Sequence, residues 1–473
     1  MNAFIPLVIL FDFVPMSNPA LSDKPAVSWW KQLTHYHWFV FIVASAAWFF
    51  DCLDQRLFSL ARIPALTELM PGATPAEVAA EGKVVTALFL IGWGIGGLIF
   101  GALGDRYGRA RMLTITVLIY SVCTGLSFFS HFYWDFAIFR FLTGIGVGGV
   151  FGLAVALVAE TVPDGARAGA LGMLQILSTV GNISAGLVKA QIDSFEASKV
   201  ISAGDGWRWM FLVGAVPAFL VFFIRKYLKE PESWMKLKAE GKLPKGSIWS
   251  PYGKLIGNAR WRRNLIVGAI IASTGVVGLW GIGEYSPDIQ KTVFKQHFEA
   301  MGLAPAEVKQ KVASSITYAY MLQMLGGAVG MWLFTRAAIR LGRRTAFAIG
   351  FSLCLVITAG VFWKMNSPND AYWMMPLMGA AQLAVFAGFA IYLPELFPGS
   401  LRSTGTSFCY NLGRFAAAAG SLFSAKLATG VYGSYGSPLQ ERYAAITMCA
   451  IFLVGIAALL FAPETKGKPL PEE

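Results

Sequence analysis

Two unrelated motifs recur in this 473-residue chain at almost one spacing. GALGDRYGRAR, from Gly101 to Arg111, returns in reduced form as RLGRR at Arg340–Arg344, and Glu160-x-x-Pro163-x-x-x-Arg167 returns as Glu395-x-x-Pro398-x-x-x-Arg402. The offsets are 342 − 108 = 234 and 395 − 160 = 235, which marks a duplication with both halves running in the same direction. In a membrane such halves form two bundles related by an axis along the membrane normal.

Composition requires that membrane. At 56% hydrophobic and 14% charged residues, the chain is too apolar to cover a soluble surface of this size. Apolar stretches near the roughly 20 residues that cross a bilayer as a helix fall at 37–62, 83–104, 111–130, 134–160, 166–189, 208–228, 263–286, 312–335, 345–363, 371–394, 403–429 and 440–462. The expected fold is an all-α membrane protein of twelve transmembrane helices in two six-helix bundles. Its expected divisions are a cytoplasmic segment 1–36, bundles at 37–228 and 263–462, a basic linker 229–262 and a tail 463–473.

Lysine and arginine mark the cytoplasmic loops. Arg106, Arg109 and Arg111 follow the second stretch, Arg336, Arg340, Arg343 and Arg344 follow the eighth, and the linker is strongly basic. The opposite loops carry Glu68, Glu77, Glu81, Asp193 and Asp205, so an even number of spans leaves both termini inside the cell membrane. The net charge of +12 is therefore a topology signal, and no nucleic-acid partner is expected. Five cysteines lie within the stretches without paired spacing, which implies neither disulfide nor metal. Phe4 to Val14 is too short for a span and lacks a preceding basic residue; it reads as an interfacial segment or an over-called start. With no phosphate-binding loop, metal spacing or second soluble domain, an ATP-driven pump is excluded, and neither enzyme activity nor a cofactor is expected.

GALGDRYGRAR, the RFLTGIGVGG run from Arg140 and the FAPETKGKPLP tail resemble the major facilitator superfamily over nearly the whole chain. KEPESW and PETKG are similar to sugar porters and organic ion transporters. ELFPGSLRSTGTSFCYNLGRF resembles the organic ion transporters and metabolite–proton symporters, and FFDCLDQ the first span of aromatic-acid–proton symporters. The resemblance implies a monomeric transporter whose partners are a small-molecule substrate, protons and lipid.

The cytoplasmic motif has its own physics. Gly101 and Gly104 allow close helix approach, Asp105 can accept backbone N–H groups or pair with arginine, and Gly108 permits the reversal. The resemblance makes Gly101, Asp105, Arg106, Gly108 and Arg109 a latch that joins the halves when the transporter faces outward. The second copy has Ile339 in place of Asp105, so its latch, which includes Arg343, should be weaker or use Glu395. Glu160 with Arg167 and Glu395 with Arg402 suit a charge network that rearranges as the halves rock; the alternative is solvated loop charge.

Ionised side chains inside hydrocarbon cost several kcal/mol and normally face a partner or a water path. Asp51, Asp54, Arg140 and Arg414 fall within spans, and Glu284 aligns beside Asp51 across the repeat. An acid exchanges the proton; a base holds it ionised or binds an anion. The resemblance to sugar porters places Asp51 with Arg140 in proton coupling. Asp54, one turn on, remains a candidate or a structural partner of Arg56; Arg140 can also snorkel outward, and Glu284 can lie at the outer mouth. Arg414, near mid-span, matches an arginine that anion-selective organic ion transporters use for their substrate, and its planar fork suits a carboxylate. The alternative is a permanent pair with Asp51, Asp54 or Glu284.

Gln175, Thr179 and Asn182 form one polar stripe on the fifth stretch. Trp280, Tyr285, Tyr318, Gln323, Gln382, Tyr410 and Asn411 complete the expected substrate contacts, with helix-packing glue as the alternative for each. The expected function is proton-coupled symport of a small carboxylate by alternating access. A sugar or polyol porter and a metabolite or drug exporter are the other readings.

Overall fold

The computed structural model describes residues 28–283 and 285–472, so Glu284 and the Phe4–Val14 segment lie outside the described residues. Among the described residues, twelve membrane-length helical segments follow in order. The first half holds His35–Leu69, Pro75–Tyr107, Arg109–Leu126, Tyr133–Thr161, Asp164–Ala197 and a sixth running from Gly206 to Tyr227. The second half begins with Ala259–Val276, which continues through a π-helical turn at Val277–Ile282, and then holds Pro305–Leu341, Arg343–Lys364, Pro368–Tyr392, Arg402–Lys426 and a twelfth from Leu439 to Phe461. Ten of these are apolar enough to be recognised as spans by hydropathy alone. The other two, the eighth and eleventh, carry more polar residues, and both lie where the halves meet.

Helix starts follow local chemistry. Thr74, with Pro75 behind it, and Ser367, with Pro368, each make a reciprocal capping box, to Glu77 and Asp370. The duplication is visible atom by atom in these ends. Asp135 accepts the backbone N–H groups of His131 and Phe132, and Asp370, 235 residues on, accepts those of Asn366 and Ser367.

The third and ninth spans are held at both ends by equivalent residues. Glu230 accepts the N–H groups of Ala110 and Arg111 at the start of the third, as Glu464 accepts those of Arg343 and Arg344 at the start of the ninth. At the other ends Arg208 donates to the carbonyls of Phe128 and Ser130, and Arg442 to those of Phe362 and Met365. Both carboxylates approach so closely because Gly108 (φ 110°) and Gly342 (φ 100°) precede the helices; a Cβ at either would strike the carboxylate. Burial pushes the Glu230 carboxyl up, against those two N–H bonds. Burial also opposes Glu464, but four backbone N–H groups outweigh it and hold its carboxyl below the ordinary range.

The halves meet along two pairs related by the repeat, the second span against the eleventh and the fifth against the eighth. Gly97 and Gly101 of the second span touch Asn411 and Ser407 of the eleventh so tightly that a Cβ at either would overlap its neighbour.

Candidate functional site

Three layers of contact join the halves. At the face bearing the short basic turns, Asp105 accepts the backbone N–H groups of Ser403 (3.0 Å) and Thr404 (2.8 Å), and the Thr404 hydroxyl as well. These are N–H groups of the first turn of the eleventh span, which have no partner inside their own helix. Arg109 pairs with Asp105 and Glu160, both at 3.0 Å, and reaches the Gly399 carbonyl in the second half. Arg402 of the second half meets Glu160 at 2.8 Å. All are buried.

The repeat is broken here. Arg343 and Glu395 reproduce the pair Arg109–Glu160, at 2.7 Å, but Glu395 adds only Thr465 of its own half. The second copy, expected to be weaker or to use Glu395, forms the Arg343–Glu395 pair within its own half. Of the charges expected in a network, Glu160 joins Arg109 and Arg402, while Arg167 turns to Asp164 and the Ala159 carbonyl. Arg106 donates to the Gly246 carbonyl and ties the linker instead of joining this network.

Deeper lies an aromatic layer. Tyr410 stacks on Phe151 with ring centroids 3.8 Å apart, and Trp48 and Phe386 meet its edge. Above it Arg414, 5% exposed, lies over the face of Trp93 at 3.1 Å from the ring centroid and over Tyr410 at 5.0 Å. A buried guanidinium over tryptophan gains about 2 kcal/mol or more, comparable to the 2.5–3.5 kcal/mol that insertion scales assign to a charge at mid-membrane. The same Tyr410 ring meets Trp48, one helical turn before Asp51 on the first span. Asp51 is fully buried; one carboxylate oxygen accepts from Gln55 and the other has no hydrogen-bond partner, nor has the Arg414 Nε.

Arg140 turns inward and is fully buried, so it does not snorkel, and its acid is Asp54 at 3.9 Å rather than Asp51. The Thr124 hydroxyl donates to Asp54, and Arg140 donates to Ser127 and lies 4.5 Å from the Phe211 centroid. Every member of this cluster belongs to the first half. At the equivalent of Arg140 the second half has Met375, 235 residues on, which accepts from Ser286 and Gln290.

Beyond Asp51 along the first span, away from the basic face, Arg56 lies 3.8 Å from the Tyr320 ring centroid, and the Tyr320 hydroxyl donates to Asn182 at 3.2 Å. This clasp joins the first and fifth spans to the eighth. The halves thus touch on both sides of the Asp51–Arg414 level.

The other expected contacts divide. Gln175 and Thr179 are buried on the fifth span; the Gln175 Oε1 has no partner, while Thr179 bonds back to Ile176. Trp280 and Tyr285 are half-buried, and Gln323 is buried beside Gly379. Three fall elsewhere. Tyr318 is 56% exposed and lies edge-on to Tyr372, on the outside of the bundle. Gln382 reaches the Gly278 carbonyl and Thr358, inside the second half's own core. Asn411 binds the Gly148 and Ser407 carbonyls and acts as interhelical glue. Trp93, Trp48, Phe151 and Tyr320 were not singled out by sequence, since an aromatic residue in an apolar span looks like any other.

A duplicated twelve-helix bundle, with buried acids and arginines within its spans and contacts joining its halves, has the anatomy of a secondary transporter rather than an enzyme. The chain belongs to the Major Facilitator Superfamily, whose pattern matches residues 38–421. It is 27% identical to the cis,cis-muconate transport protein of Acinetobacter baylyi, over 82% of this chain and 87% of that one. It is 25% identical to the niacin transporter NiaP of the same species, over 92% and 96%. Its fold matches the proton:xylose symporter XylE at a TM-score of 0.71 with 20% identity, covering 92% of this chain and 98% of that one. The human organic anion transporter MFSD10 matches at 0.66 with 18% identity, covering 89% and 99%.

Proposed function

We propose that the protein couples proton entry to uptake of a small organic carboxylate, with the basic face and both termini in the cytoplasm. The observation that carries this reading is that Arg414, in the second half, and Trp48, one helical turn before Asp51 in the first, lie against the same Tyr410 ring. A substrate carboxylate that takes the guanidinium bidentately removes the counter-charge of Asp51, and an uncompensated buried carboxylate binds a proton. Substrate and proton then load together, and the neutralised site lets the halves rock. Asp54 and Arg140 move as one body within the first half and hold the first and fourth spans in register; Asp51 is the acid whose partner lies across the moving boundary. The relatives named for muconate and niacin are named for organic acids, which supports the same substrate class.

The partnerless Gln175 Oε1 favours a second reading, a sugar or polyol porter in which that amide meets a hydroxyl. Binding of a carboxylate and of its own neutral amide to the unmutated protein separates the two, since only the first reading requires the charge.

A further inference from the structure

On the second half, facing away from the interface, a groove of about 860 Å³ runs between the seventh, eleventh and twelfth spans. Leu265, Ile270, Leu412, Phe423 and Val454 make its wall apolar, and its one charged lining residue among those described is Arg262, at the basic-face end. From Arg262 to Val277, both lining, is 277 − 262 = 15 residues. At 1.5 Å per residue this is about 22 Å, longer than the roughly 15 Å of hydrocarbon in one leaflet. The groove therefore has the length of an extended acyl chain.

The charge at its mouth is one-sided. Lys242, Lys245, Lys254, Arg260, Arg262 and Arg263 fall between Gly241 and Gly283, and no Asp or Glu does. Lys254, Arg260 and Arg262 are exposed. Arg262 gives one donor to the Ile256 carbonyl and Arg260 lies over Trp261, contacts that leave most guanidinium donors facing solvent. The short linker helix Ser250–Gly257, with Trp249 before it and Ile256 near its end both more than half exposed, packs beside them. Positive-inside topology accounts for basic residues in the linker, but not for their position at the end of an acyl-sized groove.

We propose that this groove binds one anionic phospholipid, an acyl chain lying along the seventh, eleventh and twelfth spans and the phosphate held by Arg262 with Arg260 and Lys254. An acyl chain is as well solvated by the bilayer as by the groove, so selectivity comes from the headgroup, at roughly fivefold per basic group. The eleventh span presents Phe408, Leu412 and Phe423 to the lipid and Ser407 and Asn411 to the first half. Bound lipid thus supports the helix that carries Arg414.

The test titrates purified protein with dioleoylphosphatidylglycerol or dioleoylphosphatidylcholine in one non-ionic detergent and counts bound lipid by native mass spectrometry. Phosphatidylglycerol should bind at least tenfold more tightly. Arg260→Gln with Arg262→Gln, which alters only exposed side chains, should lower the preference to the roughly fivefold that Lys254 alone supplies, and Ala416→Phe, which fills the groove, should displace both lipids. Inorganic phosphate should not compete, because the chain anchors the lipid. Equal binding of the two lipids to the native protein, an undiminished preference in the double variant, or displacement by phosphate overturns the proposal.

Discussion

The carboxylate of Asp105, at the end of the second span, caps a helix in the other half: its two oxygens accept the N–H groups of Ser403 and Thr404 in the first turn of the eleventh span. A carboxylate there satisfies orphan donors and the positive end of the helix dipole at once. Breaking this contact, with the links from Arg109 to Gly399 and from Arg402 to Glu160, is what opening of the basic face requires.

Asp105→Asn should loosen that face. The amide keeps one acceptor and sets its NH₂ against backbone N–H groups, so a cysteine placed at Phe386 or Phe151 should react several-fold faster with an impermeant thiol reagent applied from the basic side. Unchanged labelling would remove Asp105 from gating.

The opposite clasp predicts the reverse sidedness. Tyr320→Ala removes both the ring under Arg56 and the hydroxyl on Asn182, and should speed labelling from the other side only. Tyr320→Phe, which keeps the ring, should show a smaller increase. Equal labelling of native protein and both variants would show that the clasp holds nothing closed.

The layout of twelve spans was legible because burial in lipid demands long apolar runs. The eighth and eleventh spans were also read as apolar stretches, although facing the other half rather than lipid relaxes their hydropathy. The charges inside the membrane also announced themselves, but their pairing did not. Asp51 and Asp54 lie one turn apart, and only packing against Thr124 and Ser127 directs Arg140 to the latter. Glu160 could not be seen to cross to Arg402 instead of Arg167, because the motif is identical in both halves while the contact is made in one. Trp93 carried no signal at all; its role exists only because Arg414 lies on it.

The two helix-end carboxylates should respond oppositely to pH. Glu464 has a folded pKa below its unfolded value, so its stabilisation is present at neutral pH and is lost as pH falls below the ordinary glutamate value of about 4.3 through the depressed one. Glu464→Gln should therefore lower the thermal midpoint at pH 7.5 by the equivalent of about 1 kcal/mol, and by less at pH 4. Glu230, pushed up by burial, contributes most at low pH and loses that contribution as pH rises through its folded value, so Glu230→Gln should cost less at pH 7.5 than at pH 4. Parallel pH profiles for the two variants would contradict this difference.

Coupling should separate the two first-span acids. Asp51→Asn should abolish accumulation against a gradient while retaining downhill exchange in proteoliposomes. Asp54→Asn strands Arg140 as a buried cation without its acid, which typically costs 3–5 kcal/mol, and should lower the thermal midpoint by several degrees. Uphill uptake by Asp51→Asn would move the proton site elsewhere.

The central claim is that Arg414 recognises a carboxylate. Arg414→Lys keeps the charge but loses the planar fork and should weaken binding roughly tenfold to a hundredfold, the worth of a charge-assisted hydrogen bond. That variant also perturbs Trp93, so the most direct test uses unmutated protein: binding of an organic acid found by thermal-shift screening, compared with its own neutral amide. The account predicts that the acid binds at least tenfold more tightly. An amide that binds as well as the acid would contradict it.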